Sequence, residues 1–499
     1  MAGITKPFPP GHYPLVVVGS GPGALQVSYF LRRHRVKHAV LSADPGPGGM
    51  FRRFPFFDRL ISWSKPYPPT DAGSLAPDRF DWNSLIATSP RHCGLVRKEM
   101  DGTSYFPRRS EMQRGLTRFA ELTGVHVRYG CRWEATAREG DDFVLTTSHG
   151  VYRTSLLVFG IGVTEPWLPD FPGAKYATHY VDLKRPKDYA GKRVLVLGKR
   201  NSGFETAHGL LPWASRIVMA SPSPVHFSID ARHPSAARAV YMQPYEDHVL
   251  GGGHYVLNAV PAGIERTAGA YRAHLDGTTS PDKWTFEVDE IIGATGFQAP
   301  LGDLPDLGVA TFGHQRFPAL TPFWESATVP GVYFVGSTSQ GAGGLKKYGR
   351  ASNSGVVNGF RHNARVLAGH VATTRFGRDL PRPAIPRRDV ARAMLEAACF
   401  DGALWNQQAY LARVVELDAK GRAIDAGLQP LAHFLDADDG PALAMTIETD
   451  SDGDIHPAVY VRGTRTCNEH RLDVGPLLDV RTKENRARLN ELVKGVAGA

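Results

Sequence analysis

The sequence predicts an α/β protein with two Rossmann-like dinucleotide-binding domains, the second inserted into the first, and a C-terminal α+β extension. Two glycine-rich turns, beginning at Gly19 and Gly198, each follow a short apolar strand and open a helix, and another apolar strand comes after that helix. The composition agrees, since 42% hydrophobic and 21% charged residues in a chain of 499 are typical of a globular protein with several domains.

The first turn has the residue types that a dinucleotide pyrophosphate requires. Gly19 makes the tight turn, Gly21 lets the backbone approach the phosphates, and Ala24 lets the helix pack closely on the strand, with Gly23 beside it. The pyrophosphate is expected at the start of the helix, where free N–H groups and the helix dipole favour an anion. The predicted unit comprises a strand over 15–18, a helix over 25–33 and a strand over 38–41.

The residue expected to bind the ribose departs from the usual pattern. Ser42 stands at the end of the second strand, where Glu or Asp is expected, and a hydroxyl binds a ribose more weakly than a carboxylate does. Asp44, two residues later, either substitutes for that acid or caps the following turn. The sequence leaves both roles of Asp44 open.

The second turn follows the apolar run 192–197 and precedes a helix and a strand over 216–220. Its candidate cofactor-binding residues are Gly198, Arg200, Asn201, Ser202, Gly203 and Glu205. Arg200 replaces the second glycine, so that its side chain either crowds the pyrophosphate or binds it through the guanidinium. The segment 221–224 lacks the arginine that commonly binds a 2′-phosphate, which weakens the case for NADPH over NADH.

The order of the motifs resembles the flavin monooxygenase superfamily. The loop that would lie beside the flavin ring consists of Gly48, Gly49, Met50 and Phe51. The segment 171–173 followed by His179 is similar to the fingerprint of this family, although the histidine comes two residues late. Further similarity to FAD-dependent oxidoreductases of this superfamily covers most of the chain, in the segments 60–65, 81–84, 105–107, 201–207, 359–361 and 456–457.

The later glycine segments indicate where the chain returns to the first domain. Gly296 ends a segment similar to the hinge at which such flavoproteins leave their nicotinamide domain. The run 329–336 predicts the last strand of the first domain, and the turn after Gly336 begins with Ser337 where many relatives have Asp. The resemblance thus implies an FAD-binding domain over 12–165 and 299–380, an NADPH- or NADH-binding domain over 166–298, and an extension over 387–499.

The resemblance implies monooxygenation, in which a C4a-(hydro)peroxyflavin oxygenates a small nucleophile such as an amine or amino-acid nitrogen. Lys65 and Asn83 are candidate catalytic residues that would stabilise this state, because they follow the flavin loop in sequence. A solvated Lys65 and a helix-capping Asn83 are the plainer alternatives. His179 is a third catalytic candidate, although a histidine in such a loop is ordinary.

Three other functions share the same architecture: a flavin-dependent halogenase, a dithiol or disulfide reductase, and a non-catalytic FAD-binding redox or scaffold protein. The reductase would need a redox cysteine pair, and the four cysteines contain no Cys-x-x-Cys. Ser42, Arg200 and the displaced His179 favour the non-catalytic alternative.

The remaining features predict a cytoplasmic protein whose partners are a small-molecule substrate and O2. A net charge of +9 comes from scattered basic residues, which argues against nucleic-acid binding, and we expect no metal and no membrane span. A homodimer is compatible with the sequence. In the extension, helices are predicted over 390–400 and 408–417, strands over 442–449 and 457–461, and a hairpin turn over 450–454.

Overall fold

Two sheets built on parallel strands organise the fold, as the two glycine-rich turns predicted. The computed structural model describes residues 6–68, 77–231, 236–417, 422–437, 439–463, 466–475 and 478–496. The described residues of Met1–Arg52, Ser62–Val163 and Ala299–Ala499 form one unit. Those of Arg53–Ile61 and Thr164–Gln298 form the second unit.

The first unit contains a five-stranded parallel sheet. In sheet order its strands are Val332–Phe334, Leu157–Phe159, Val16–Val18, Ala39–Ser42 and Arg128–Tyr129. The first four of these strands are buried along their whole length, because both faces of a parallel sheet are covered. Helix Pro22–Arg33 follows the central strand and contacts helix Val357–Phe376. The turn at Gly19 therefore lies at the carboxyl edge of this sheet, where α/β proteins bind ligands.

A smaller sheet and a ribbon complete this part of the first unit. The four strands of the smaller sheet are Gly11–His12, Gly150–Thr154, Asp142–Thr147 and Trp133–Glu139. The ribbon pairs Thr311–Phe312 with Phe317–Pro318. Side chains of the smaller sheet, such as Phe143 and Tyr152, share one hydrophobic core with Phe159 and Phe334 of the parallel sheet.

The second unit is built on a seven-stranded sheet whose first five strands are parallel. In sheet order they are Thr178–His179, Glu290–Gly293, Arg193–Leu197, Arg216–Ser221, Tyr255–Arg266, Tyr271–Gly277 and Lys283–Val288. Its α-helices are Asn201–Leu210, Ser228–Ala231 and Gln243–Val249. Glu165–Pro166 pairs with Phe297–Gln298, so that the segments by which the chain enters and leaves this unit lie side by side.

The C-terminal extension is an antiparallel sheet with its own hydrophobic core. Its strands in sheet order are Ala384–Ile385, Ala423–Pro430, Leu411–Leu417, Ala442–Thr449, Ile455–Arg462 and Cys467–Arg471. The predicted helix Val390–Phe400 and the hairpin turn at Asp450 are confirmed. The helix predicted over 408–417 is wrong, because Leu411–Leu417 is a strand that is hydrogen-bonded to strands on both sides.

The remaining helices are short or lie on the outside of the sheets. The α-helices are Leu95–Lys98, Arg109–Thr123, Gly402–Asn406, Leu431–Asp436 and Lys483–Val496. The 3₁₀ turns are Gly49–Arg52, Pro77–Phe80, Pro90–His92, Ala174–Tyr176, Tyr180–Asp182, Pro186–Tyr189, Ala239–Tyr241, Gly336–Gly341, Lys347–Gly349, Asn353–Gly355 and Arg387–Asp389. Within the described ranges, no helix has the length and apolar composition that crossing a bilayer requires.

A buried ion pair joins the extension to the rest of the first unit. Lys347 Nζ lies 2.5 Å from Glu448 Oε2, and the Glu448 side chain is fully buried. The Tyr460 hydroxyl donates to the other oxygen of Glu448 at 2.7 Å. Such a pair is stabilising only while both partners remain, since a lone buried carboxylate has lost its hydration.

Lys347→Met is therefore expected to lower the free energy of unfolding by on the order of 3 kcal/mol, because it leaves Glu448 without its cation. Thermal and urea unfolding of the full chain measure this loss. The neighbouring Lys346 is exposed, and Lys346→Met is the matched control that should behave as wild type. Equal stability of the two variants would contradict the prediction.

Candidate functional site

The first glycine-rich turn has the conformation and the space that an anion needs. Gly19 has φ +122°, and a Cβ at this position would lie 2.3 Å from the carbonyl oxygen of Gly160. Gly21 is the N-cap of helix Pro22–Arg33 and makes no side-chain cap, so that the first N–H groups of the helix are open to a ligand. A Cβ added to Gly21 would meet no atom of the described residues within 4 Å. Gly21 therefore borders open space at a positive helix end.

Gly23 and Ala24 allow close packing behind this turn. A Cβ on Gly23 would lie 2.4 Å from the Cα of Gly336, which begins the turn after the last strand of the sheet. The Ala24 methyl group would lie 2.7 Å from a Cβ built on Gly160. Only small residues fit at these positions, and Gly336 has φ +76°. Its neighbour Ser337 accepts a hydrogen bond through Oγ from the Val163 N–H at 3.0 Å.

The two candidate ribose ligands differ in what they contact. Ser42 is buried, and its hydroxyl lies 2.8 Å from that of Ser20 while accepting the N–H of Asp44 at 3.1 Å. Asp44 is half-buried and accepts from Ser20 through one carboxylate oxygen at 3.2 Å. Ser42 is thus engaged within the turn, whereas the partly exposed carboxylate of Asp44 is the more accessible acceptor.

The predicted flavin loop lies beside the first turn. Gly48 and Gly49 have φ +122° and +55°, and a Cβ on Gly49 would lie 3.1 Å from the Cα of Gly21. Met50 and Phe51 continue the loop in the half-buried 3₁₀ turn Gly49–Arg52. Gln113 holds the loop from behind through a hydrogen bond from Nε2 to the carbonyl of Pro47. The sequence did not predict this role of Gln113, because no sequence pattern identifies a polar residue on a helix as the support of a distant loop.

The second turn repeats the geometry of the first with one substitution. Gly198 has φ +125° and Gly203 packs against its carbonyl, so that the helix lies close to the strand. Arg200 is exposed, has extended backbone angles and forms the N-cap of helix Asn201–Leu210 without a side-chain cap. Arg200 therefore stands at the positive end of that helix, where a phosphate would find a favourable charge. The Asn201 side chain accepts the Arg238 N–H through Oδ1 at 3.0 Å.

The sequence also did not predict the buried position of Lys199. Its side chain is buried, Nζ donates to Asn258 Oδ1 at 2.5 Å, and burial lowers the pKa of this amine to about 8. A lysine between Gly198 and Arg200 resembles any exposed basic residue, and only the fold turns it inward. Lys199 thus binds the second turn to the strand Tyr255–Arg266.

Glu205 contacts protein groups and not open space. It accepts the Tyr180 hydroxyl at 2.8 Å and the Phe57 N–H at 3.1 Å, and the Phe56 N–H donates to the same hydroxyl. Burial raises the pKa of Glu205 to about 7. The predicted cofactor ligand therefore anchors the segment Arg53–Ile61 to the rest of the second unit.

His179 has both ring nitrogens in structural hydrogen bonds. Nδ1 accepts from the Val181 N–H at 3.3 Å, which leaves Nε2 to donate to the carbonyl of Gly296 at 2.9 Å. Burial lowers the pKa of this imidazole, so that it is neutral at physiological pH. His179 therefore holds the backbone at Gly296, which has φ +91°.

Lys65 and Asn83 lie in the same region of the first unit but differ in exposure. Asn83 is fully buried, with Nδ2 donating to the Ser62 carbonyl at 3.1 Å and to Ser64 Oγ at 3.0 Å. It does not cap a helix. Lys65 is exposed, and its Nζ lies 5.0 Å from the centre of the Phe80 ring. Asn83 therefore orders the backbone around residue 62, and only Lys65 presents a free-standing charged group to solvent.

Comparison with known proteins shows the family. The family model described as pyridine nucleotide-disulphide oxidoreductase matches residues 16–336, and the chain belongs to this family. The family consists of flavin-dependent oxidoreductases that use FAD and a nicotinamide dinucleotide, which is the class that the sequence predicted. The structure fits both cofactors, since each glycine-rich turn leads into a helix N-terminus whose N-cap residue makes no side-chain cap.

Individual relatives cover different parts of the chain. FAD-dependent oxidoreductase domain-containing protein 2 of Mus musculus is 26% identical over 447 residues, which are 83% of this chain, and the chain spans only 66% of the length of that relative. Indole-3-pyruvate monooxygenase YUCCA1 of rice is 31% identical over 219 residues, covering 42% of this chain and 48% of its own. A flavin-containing monooxygenase structure from Stenotrophomonas maltophilia has a TM-score of 0.55 at 19% identity, over 73% of this chain and 99% of that one.

Gly21→Ala is expected to weaken FAD binding without disturbing the fold, because the added methyl group enters open space in front of the helix. We expect the dissociation constant to rise at least ~10-fold, or ~1.4 kcal/mol. Flavin fluorescence measures binding, and thermal unfolding of the flavin-free chain measures the fold. Gly23→Ala should instead destabilise the chain, since its methyl group meets Gly336. Unchanged FAD affinity in Gly21→Ala would count against this position of the pyrophosphate.

The raised pKa of Glu205 predicts a pH dependence of stability. An unfolded glutamate ionises near pH ~4.3, whereas the buried one holds its proton to about pH 7. The folded state binds more protons between these values, so the free energy of unfolding should fall by on the order of 3 kcal/mol as pH rises across the interval, and then level off. Glu205→Gln should remove this part of the fall in urea unfolding. The exposed Glu246→Gln is the control, and a Glu205→Gln profile parallel to wild type would refute the assignment.

Proposed function

We propose that this member of the pyridine nucleotide-disulphide oxidoreductase family is an NAD(P)H- and O2-dependent monooxygenase that oxygenates a small nucleophile, an amine or amino-acid nitrogen. The observation that carries the proposal is the presence in one chain of two glycine-rich turns that each lead into a helix N-terminus without a side-chain cap. Two dinucleotide sites suit hydride transfer from one bound dinucleotide to the other. The monooxygenase chemistry itself is supported by the motifs shared with flavin monooxygenases and by the rice relative.

The chemistry that FAD supplies when bound is acceptance of a hydride from the nicotinamide and delivery of two electrons to O2. In the proposed reaction one oxygen atom would enter the substrate and the other would leave as water, with one proton taken up. The residues of the chain bind and orient. Gly19, Gly21 and Gly23 form the pyrophosphate turn, and Asp44 is the proposed ribose ligand because its carboxylate is more accessible than the Ser42 hydroxyl.

Arg200 is proposed to bind the nicotinamide dinucleotide and not to exclude it. It is exposed and lies at a helix N-terminus, so that it can turn towards a pyrophosphate without strain. A guanidinium binds phosphate oxygens through two parallel hydrogen bonds, which a glycine cannot do. Asn201 and Ser202, in the first turn of the same helix, are the proposed neighbours of the bound phosphates.

The alternatives differ in their support. All four cysteines are free thiols, and none of them forms a disulfide, which gives no support to a reductase with its own redox pair. A halogenase has no distinguishing feature among the described residues. The non-catalytic alternative is favoured by the engaged Ser42 hydroxyl, and Arg200 would favour it only by crowding the pyrophosphate. This alternative predicts a chain that binds FAD but reacts slowly with NAD(P)H.

Rapid mixing tests the proposal directly. The FAD-loaded chain, mixed anaerobically with NADPH or NADH, is expected to lose its visible flavin absorbance within seconds. Admission of air with a panel of small amines and amino acids should then consume O2 and give an oxygenated product, detected by mass spectrometry. Reduction followed only by hydrogen peroxide release with every substrate would contradict monooxygenation, and no reduction would favour the non-catalytic alternative.

Arg200→Ala is expected to weaken binding of the nicotinamide dinucleotide about 10-fold, since one charge-assisted contact is lost. Flavin reduction rates at increasing NADPH and NADH concentrations measure this affinity, and FAD content should not change. Arg185→Ala is the matched control, because Arg185 is an exposed arginine of the same unit paired with Asp188. Tighter binding in Arg200→Ala would show that the side chain crowds the phosphates.

A further inference from the structure

A buried hydrogen-bond network begins in the C-terminal extension at Gln407. This side chain follows helix Gly402–Asn406 and is completely buried. Its Nε2 donates to Ser354 Oγ at 3.0 Å and to Asn363 Oδ1 at 2.6 Å. Asn363 lies on helix Val357–Phe376. The extension thus reaches into the interior of the fold that carries the first dinucleotide turn.

The same network continues to the turn after the last strand of the parallel sheet. Ser339 Oγ donates to the Ser354 carbonyl at 3.1 Å and accepts from Asn363 Nδ2 at 3.2 Å. Ser339 belongs to the turn Gly336–Gly341. The Gly336 Cα leaves no room for a Cβ on Gly23, a residue of the pyrophosphate turn. A continuous series of contacts therefore runs from Gln407 to the proposed FAD site.

Two further contacts join the extension to the chain just beyond this turn. The Tyr410 ring would lie 2.6 Å from a Cβ on Gly344, so that only glycine fits beneath it. Lys347 is bound by the buried Glu448. The segment between Gly336–Gly341 and helix Val357–Phe376 is thus held by the extension at three places, through Gln407, Tyr410 and Glu448.

The hydrogen bonds of Gln407 indicate that its side chain does more than fill space in the core. Its Oε1 is buried and has no hydrogen-bond partner among the described residues. A buried amide oxygen without a hydrogen-bond partner is unfavourable, and a leucine of similar volume would avoid this cost. The two hydrogen bonds from Nε2 are therefore the reason for an amide at this position, and what they fix is the pair Ser354 and Asn363.

We propose that the C-terminal extension is part of the FAD site, and that Gln407 is a positioning residue that holds the turn Gly336–Gly341 in its FAD-binding conformation. The proposal rests on the proposed binding of FAD at the first turn. It goes beyond the family, whose match ends at residue 336 and includes neither Gln407 nor its partners. Supporting groups of this kind set how well a binding residue is preorganised.

The test compares Gln407→Leu with Gln408→Leu in the full chain loaded with FAD. Gln408 is the matched control, because its Oε1 accepts only within the extension, from Thr449 at 2.6 Å. Flavin released on dilution gives the FAD dissociation constant, and thermal unfolding is measured with and without FAD. Gln407→Leu is expected to raise the dissociation constant about 10-fold, and Gln408→Leu to leave it unchanged.

Ser339→Ala removes a hydroxyl of the same hydrogen-bond network within the turn Gly336–Gly341, and it is a smaller change than Gln407→Leu. It should weaken FAD binding as Gln407→Leu does. The double variant should bind FAD no more weakly than either single variant, because both substitutions interrupt the same series of hydrogen bonds. Equal dissociation constants for Gln407→Leu and wild type, or independent losses in the double variant, would overturn the proposal. So would a loss of melting temperature that is the same with and without FAD. A wild-type chain that binds no FAD would refute the proposed function itself.

Discussion

Close approach of backbone to backbone at a few glycines is the constraint on which this structure depends. Gly23 meets Gly336, Gly19 meets Gly160, and in the second unit Gly198 meets Ala294 at distances that exclude any Cβ. These contacts bring each helix close to its sheet. The proposed cofactor sites are therefore consequences of packing, because the same glycines that let the elements touch place helix N-termini at the carboxyl edge of the strands.

Buried polar groups supply the positions that glycine packing leaves undetermined. Gln113 holds the loop before Gly48, His179 holds the hinge at Gly296, and Glu205 with Tyr180 holds the segment after Arg52. None of these side chains needs to touch a reacting atom to affect the reaction. Each fixes a stretch of backbone, and each is buried enough that its loss would leave a partner unsatisfied.

Buried polar groups also hold the C-terminal extension against the rest of the first unit. It has its own core, yet its contacts with Lys347, Ser354 and Asn363 are polar and buried. A merely appended domain would more readily pack through apolar surface. Polar contacts of this kind specify one arrangement of the segment between Gly336 and helix Val357–Phe376. Loss of either partner of such a contact lowers the stability of the fold.

The sequence by itself determined the two βαβ units, the turns at Gly19 and Gly198 and the family, because strand, glycine turn and helix are encoded in neighbouring residues. The strand Leu411–Leu417 was decided only by the tertiary structure, since its two partner strands are distant in sequence. The same holds for Gln113, Lys199 and Gln407, whose roles depend on what surrounds each side chain after folding. Local sequence patterns predict the helices and strands that neighbouring residues form. Burial and long-range polar contacts depend on residues that only the fold brings together.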